Sequence, residues 1–413
     1  MKKFVHLFNV NGEKYAFDGN DFKLFNIQND SEFEKYCLGE DRKITISYET
    51  GKLIKVVLNV SNKCNLRCKY CYAEGGNYGR SEKLMSTDTV DQIIKELKEG
   101  GIKKIGILSF FGGEPTLNFS LIEYALPIFK RNFIIDNYEV VTNGTLLDES
   151  MINFLGENEV ALSVSIDGPE DITDALRGKG TFEKAYRSLK LAKTLEYKNL
   201  YASATYTKVH SEMGYSYQDI CDFFEKMKVK MTVSQVLTSD PKLKVVSQMT
   251  DEEVRKDISR TLSNICENRI KTQINPFVYS VLISVLGNSL NEGYCDDLNE
   301  YYTLNYDYNG DKYNCFRFWN NKDYMIGNVG SKELKKCNNK ENHILCKSCW
   351  AKKICKFCLA AVLQGDSELP VKDQECRNQY IYEIVFEELI KIIQNNQHQI
   401  LAQNFISNFL VYR

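Results

Sequence analysis

Fourteen cysteines are the residues in this chain best equipped for chemistry, and they are unevenly spread. Cys64, Cys68 and Cys71 stand at Cys-x3-Cys-x2-Cys, directly after an apolar segment that reads as a strand. A loop with this spacing can wrap three thiolates around one iron-sulfur cluster. Three thiolates leave one iron of a four-iron cluster open to an outside ligand, whereas a fourth would close the site for electron transfer alone. Zinc is the competing occupant, but it normally takes four ligands and no fourth stands nearby.

A second group lies between Cys295 and Cys376, with Cys315, Cys337, Cys346, Cys349, Cys355 and Cys358 between them. Seven of these eight fall into Cys-x14-Gly-x4-Cys around Gly310, then Cys-x2-Cys-x5-Cys-x2-Cys, then a distant cysteine. A zinc site made from Cys346 to Cys358 is the alternative, although zinc ribbons separate their cysteine pairs by many more residues. Cys37, Cys221 and Cys266 stand apart and read as buried small hydrophobes. His6, His210, His343 and His398 show no metal spacing and receive no role.

These residues need a scaffold, and 413 residues, 43% of them hydrophobic, suffice for two or three domains. Apolar strands read at Ile54 to Val60, Ile105 to Phe110, Tyr138 to Thr142, Val160 to Ile166, Tyr201 to Thr207 and Lys230 to Val236, with helical patterns between them. Six β/α repeats make an α/β fold, a parallel sheet with helices outside, too few to close an eight-stranded barrel. The expectation is a partial, open (β/α)6 barrel with its ligand beyond the carboxyl ends of the strands.

The boundaries follow from the same pattern. Residues 1–52 form a small β-rich cap with a turn at Asn11-Gly12, residues 53–285 the barrel, residues 286–380 the irregular cysteine-dense part, and residues 381–413 an amphipathic helix. A helix is expected from Ser86, with Val90, Ile93, Ile94 and Leu97 on its apolar face, and another after a Thr250/Glu253 capping box.

Lys plus Arg number 53 against 55 Asp plus Glu, so no basic field invites nucleic acid. No stretch is apolar for long enough to span a membrane, and His6, Asn9 and Asn11 interrupt any secretory signal. The reading is cytoplasmic, where cysteines serve metal or redox chemistry better than disulfides.

With Tyr70 just before its last cysteine, the first motif resembles the signature of the radical S-adenosylmethionine (SAM) superfamily. Further segments match in order at strand ends: Gly112-Gly113-Glu114-Pro115, Thr142-Asn143-Gly144, Ser163 and Ser165 with Asp167-Gly168, and Asp174-Ala-Leu-Arg177-Gly. The resemblance implies that Cys64, Cys68 and Cys71 hold a [4Fe-4S] cluster whose open iron chelates SAM. It implies that Tyr70 and Gly112 to Pro115 line the cofactor, that Asn143 and Ser165 touch its ribose or methionine part, and that Arg177 pairs with its carboxylate. Reductive cleavage of SAM would then yield a 5′-deoxyadenosyl radical.

The second group resembles the SPASM extension of peptide-modifying radical SAM enzymes, which implies two auxiliary [4Fe-4S] clusters. Carried over, Cys346, Cys349, Cys355 and Cys376 would bind one cluster, and Cys295, Cys315 and Cys358 the other. The spacing departs from that family between Cys355 and Cys358, where only Lys356 and Phe357 stand instead of three residues. No cysteine lies between Cys295 and Cys315, so an open iron there would await Cys337 or a substrate thiolate. The expected activity is a thioether-forming maturase of the sactipeptide or ranthipeptide type, with formylglycine formation or carbon-carbon crosslinking as the alternative and an iron-sulfur electron carrier as the reading from another class. The expected partners are a cysteine-containing precursor peptide with a leader sequence and a flavodoxin- or ferredoxin-type reductant. The N-terminal β region either receives the leader as an extra strand or covers the barrel's open edge.

Overall fold

The computed structural model describes residues 4–38, 51–238, 240–245, 251–269, 274–287, 303–313, 315–319, 321–331, 346–355, 371–372 and 375–409. It opens with three antiparallel strands, β1 (Val5–Val10), β2 (Glu13–Asp18) and β3 (Lys23–Asn26), followed by α1 (Asp30–Leu38). Asn11 and Gly12 both take positive φ at the first turn, as the Asn-Gly signal requires.

The barrel region then alternates as read. Its members are β4 (Lys52–Ser61), α2 (Thr87–Glu99), β5 (Lys104–Gly112), α3 (Phe119–Asn132), β6 (Ile134–Thr142), α4 (Glu149–Glu157), β7 (Ala161–Ser165), α5 (Glu170–Arg177), α6 (Thr181–Thr194), β8 (Leu200–Tyr206), α7 (Lys208–Glu212), α8 (Tyr217–Met227) and β9 (Lys230–Gln235). All six strands pair in parallel in chain order. On β4, Val56, Leu58 and Val60 join a core shared with Val90, Ile93, Ile94 and Leu97 of α2 and with Phe119 and Ile122 of α3. The Ser86 hydroxyl caps α2 by accepting from Thr89 N–H at 3.1 Å. This core fixes the strand ends, and so the loops that leave them.

Beyond the barrel come α9 (Asp251–Cys266), α10 (Pro276–Gly287), β10 (Thr303–Tyr306), β11 (Asp311–Tyr313), β12 (Met325–Asn328), β13 (Val371–Lys372), β14 (Glu375–Cys376), α11 (Arg377–Gln394) and α12 (His398–Phe409). Val254, Ile258, Leu262 and Ile265 form the buried face of α9, as the periodicity predicts; Thr250, the expected cap, lies outside the described residues. No helix among the described residues is long and apolar enough to cross a membrane.

Part of the cysteine-dense region belongs to the barrel sheet: β10 pairs in parallel with β4, and β11 and β12 extend it antiparallel to nine strands. β10 thus lies along the free side of β4, and the N-terminal strands form a separate sheet. That sheet packs on residues near Cys349 and Cys355 and on α11. Trp350 stacks on His6 at 4.4 Å and meets Phe8, Phe17 and Phe386 edge-on, and His6 also contacts Glu383 of α11 at 3.2 Å. Gly19 is required here, because a Cβ would lie 2.4 Å from the Trp350 carbonyl oxygen.

Phe17 is completely buried in this contact. Phe17→Ala is expected to lower stability by about 3–5 kcal/mol, the usual effect of deleting a buried aromatic ring. Denaturant unfolding followed by tryptophan fluorescence measures it, and an unchanged midpoint would mean that the sheet is only loosely attached.

Candidate active site

The cysteine loop leaves the carboxyl end of β4 and has little secondary structure of its own, so contacts with neighbouring strand ends must hold it. Gly113 N–H donates to Ser61 O at 2.7 Å and Glu114 N–H to Lys63 O at 2.8 Å, which ties the end of β5 to the start of the loop. The backbones pass so closely that a Cβ on Gly113 would lie 2.5 Å from Lys63 O and 2.9 Å from the Gly76 Cα. A Cβ on Gly76 would reach 2.5 Å from the Cys64 Cβ, and Gly76 also has φ +94°. The glycine pair thus serves this crossing of two backbone segments.

Glu114 is buried, and both its oxygens are taken by protein donors. Oε1 accepts from Thr116 N–H at 3.0 Å, Thr116 Oγ1 at 2.6 Å and Thr142 Oγ1 at 2.6 Å, and Oε2 accepts from Asn143 N–H at 2.7 Å. Burial nonetheless raises its carboxyl pKa, against the pull of these bonds. Glu114 therefore locks the end of β5 to the end of β6, with Pro115 opening a short 3-10 turn after it. Asn143 reaches back to the loop, donating to Asn65 Oδ1 at 2.8 Å with Cys64 Sγ at 3.8 Å. Ser165 faces Ser203 at 3.2 Å inside the barrel.

Cys64 Sγ accepts from Leu66 N–H at 3.4 Å, and Cys71 Sγ accepts from Gly75 N–H at 3.4 Å. Backbone donors of this kind suit thiolates bound to iron. Burial pushes the Cys64 thiol up to about 11 and the Cys68 thiol up to about 12, the second eased by the Arg177 charge, so both are protonated until a metal displaces the proton. Among the described residues no three His, Cys, Asp or Glu side chains converge on a point where a single ion would sit. A four-iron cluster asks for a different arrangement, one thiolate to each of three irons, and a set of three thiols, two of them with amide donors, suits it.

Arg177 takes a place that spacing did not foresee. Its Nε and Nη2 donate to Asp167 Oδ2 and Oδ1 at 2.8 and 2.9 Å, forming a buried bidentate pair. The Tyr70 hydroxyl donates to the same carboxylate at 2.7 Å, and burial pushes its pKa well up, so the phenol remains a donor. The Arg177 guanidinium also sits 5.5 Å from the centre of the Tyr70 ring. Sequence reasoning placed Asp167 at a strand end but gave it no role. It gave none to His210 either, which is buried against the Asp167 carbonyl at 3.0 Å.

In the second group, Cys315 follows β11 and lies near the first motif. Tyr72 is close enough to both Cys71 and Cys315 to feel the charge of each, and its ring carries the Arg317 guanidinium at 4.3 Å. Arg80 fastens the two parts together, donating to Asp307 Oδ2 at 2.7 Å and to Trp319 O at 2.5 Å. Gly310, at φ +86°, turns the chain between β10 and β11. Cys346 and Cys349 share a tight turn, Asn378 approaches Cys355 Sγ at 3.9 Å, and Cys376 is placed by its backbone in β14. Cys295, Cys337 and Cys358 lie outside the described residues. Cys221 and Cys266 pack in the two apolar cores, as expected of small hydrophobes.

His210 supplies a pH dependence. Thr207 N–H donates to its Nδ1 at 3.0 Å, so Nε2 carries the proton and donates to Asp167 O; the neutral ring satisfies both contacts. Burial lowers its pKa from 6.5. The stability that it confers is therefore complete above about 6.5 and lost as the pH falls towards the lowered value. Thermal melts from pH 8 to 5 should show a steeper loss for wild type than for His210→Gln, and parallel curves would dismiss His210 as the source.

A family model of the Radical SAM superfamily matches residues 58–230. The radical SAM cyclopropyl synthase TigE of Paramaledivibacter caminithermalis is 30% identical over 224 residues, 50% of this chain and 46% of that protein. A cysteine-type anaerobic sulfatase-maturating enzyme of Clostridium perfringens is 31% identical over 176 residues, 40% of this chain and 47% of that protein. The chain thus spans about half the length of these curated relatives. Native anSMEcpe with bound AdoMet and Kp18Cys peptide superposes with a TM-score of 0.62 at 19% identity, over 84% of this chain and 99% of that one, which shows a common fold. The matched segment begins within β4, ends at the first residue of β9 and includes all three motif cysteines together with Glu114, Asn143, Asp167 and Arg177. This chain carries a radical SAM domain.

Proposed function

We propose that the protein is a radical SAM peptide-modifying enzyme that joins a cysteine of a ribosomally made precursor peptide to a carbon of the same peptide through a thioether. The observation that carries the reading is that Cys71, Tyr72 and Cys315 share one apolar cluster, with Arg80 and Asp307 binding the two cysteine regions together. A second cysteine-rich region joined to the first in this way suits an enzyme whose product needs a further electron acceptor.

When bound, the [4Fe-4S] cluster and SAM supply a 5′-deoxyadenosyl radical by one-electron reductive cleavage. Cys64, Cys68 and Cys71 would hold the cluster, and Leu66 and Gly75 N–H would steady two of their sulfurs. Glu114 holds the strand ends, and Asn143 is tied to the loop through Asn65. Arg177 would present Nη1, the guanidinium nitrogen that Asp167 does not engage, to the SAM carboxylate. Thioether formation removes a carbon-bound hydrogen atom, a thiol proton and one further electron from the peptide. The acceptor of that electron would be one of two auxiliary clusters, one held by Cys346, Cys349, Cys355 and Cys376 and the other by Cys295, Cys315 and Cys358. A flavodoxin- or ferredoxin-type protein would provide the first electron, and the peptide's leader would be the second partner. Similarity to a sulfatase-maturating enzyme favours formylglycine formation as the second reading.

Anaerobic incubation with SAM, dithionite and a cysteine-containing precursor peptide tests both. Wild type is expected to release 5′-deoxyadenosine and Cys68→Ala to release none. The peptide should lose two hydrogens and one iodoacetamide-reactive thiol. A formylglycine product would refute the thioether, and equal release from Cys68→Ala would refute the whole reading.

A further inference from the structure

Asp167 has no place in the function so far, yet it is among the most heavily bonded side chains in the barrel. It is completely buried. Oδ1 accepts from Thr205 N–H at 2.9 Å and from Arg177 Nη2, and Oδ2 accepts from the Tyr70 hydroxyl and from Arg177 Nε. Its own N–H donates to Thr173 Oγ1 at 3.2 Å, and its carbonyl accepts from His210 Nε2. The end of β7, α5, β8, α7 and the cysteine loop therefore meet at one residue.

With four hydrogen bonds, both carboxylate oxygens are fully occupied, so Asp167 has nothing left to offer a cofactor directly. It supplies charge and aim instead. Cys68 stands beside this pair: one residue beyond it Lys69 N–H donates to the carbonyl of Leu176, the neighbour of Arg177, at 2.9 Å, and two residues beyond it the Tyr70 hydroxyl reaches Asp167. A lone buried guanidinium beside that sulfur would place an uncompensated positive charge in a medium of low dielectric, and the bidentate pair cancels it. Net charge and hydrogen bonding around the sulfurs are what set the potential of an iron-sulfur cluster.

We propose that Asp167 is a positioning residue of the radical SAM site, which neutralises Arg177 beside Cys68 and, by occupying Nε and Nη2, fixes where Nη1 points. The inference depends on the radical SAM domain and not on the peptide or the product, so it can fail while the thioether reading stands, and the reverse.

The test compares anaerobically reconstituted wild type with Asp167→Asn, Arg177→Gln, the double variant and Tyr70→Phe at matched iron content. Two quantities are read: the midpoint potential of the EPR signal that responds to SAM, and the equilibrium affinity for SAM. Asp167→Asn leaves the guanidinium unpaired and should shift the potential to more positive values, while weakening SAM binding about tenfold through misalignment. Arg177→Gln leaves the carboxylate unpaired and should shift the potential the other way. The double variant should regain the wild-type potential without regaining SAM affinity, and Tyr70→Phe, which alters no charge, should leave the potential in place. Shifts of the same sign in the two single variants, no shift in either, or a Tyr70→Phe shift as large as that of Asp167→Asn would overturn the proposal. If Asp167→Asn does not take up iron, Arg177→Gln and the double variant decide the matter alone.

Discussion

The structure depends on a close crossing of two backbone segments, where the cysteine loop passes over the end of β5 at Gly76 and Gly113. A loop that presents three sulfurs has almost no side-chain core of its own, so it is held by what it lies against. At this crossing the support is main chain on main chain, with Ser61 and Lys63 carbonyls receiving the amides of Gly113 and Glu114. Any side chain at either glycine would separate the segments. Glu114 transmits the constraint sideways to β6, and Asp167 does the same from β7 and β8.

Polar groups hold the mouth of the barrel, and apolar groups hold its outside. Buried carboxylates at the mouth are costly to desolvate, and each is stabilised here by several donors from different strands. Such networks specify one geometry more sharply than a greasy contact would, because moving any member leaves a buried donor unsatisfied. The cofactor that the domain implies needs fixed sulfurs and fixed donors, which a network of this kind supplies.

Much of this architecture was legible in the sequence. The barrel strands recur at regular intervals with helical patterns between them, β4 as a mostly apolar buried run and β7 and β8 with alternate positions buried, which is the repeat that the sequence displays. The three-stranded N-terminal meander showed through its Asn-Gly turn. The strand β10 did not: Thr303 to Tyr306 is only four residues long, and its polar residues Thr303 and Asn305 are buried like the apolar ones beside them, so its pairing with β4 comes from tertiary context. The candidate cysteines were found from spacing alone. Asp167 escaped because its partners come from separate elements, and no one-dimensional pattern gathers Tyr70, Arg177, Thr205 and His210. The seat of the N-terminal sheet escaped for the same reason, since Trp350 and Phe386 are remote from it along the chain.

That remoteness bears on how the molecule is made. His6 and Glu383 touch across 377 positions. At typical ribosomal speeds of about 5–20 residues per second, the first sheet emerges and then waits roughly 20–75 s for the residues that cover its aromatic face. During this interval Phe8 and Phe17 are available to chaperones or to other nascent chains. The barrel can meanwhile condense from neighbouring β/α units, so the sulfur-rich module is expected to be the last part to assemble during synthesis.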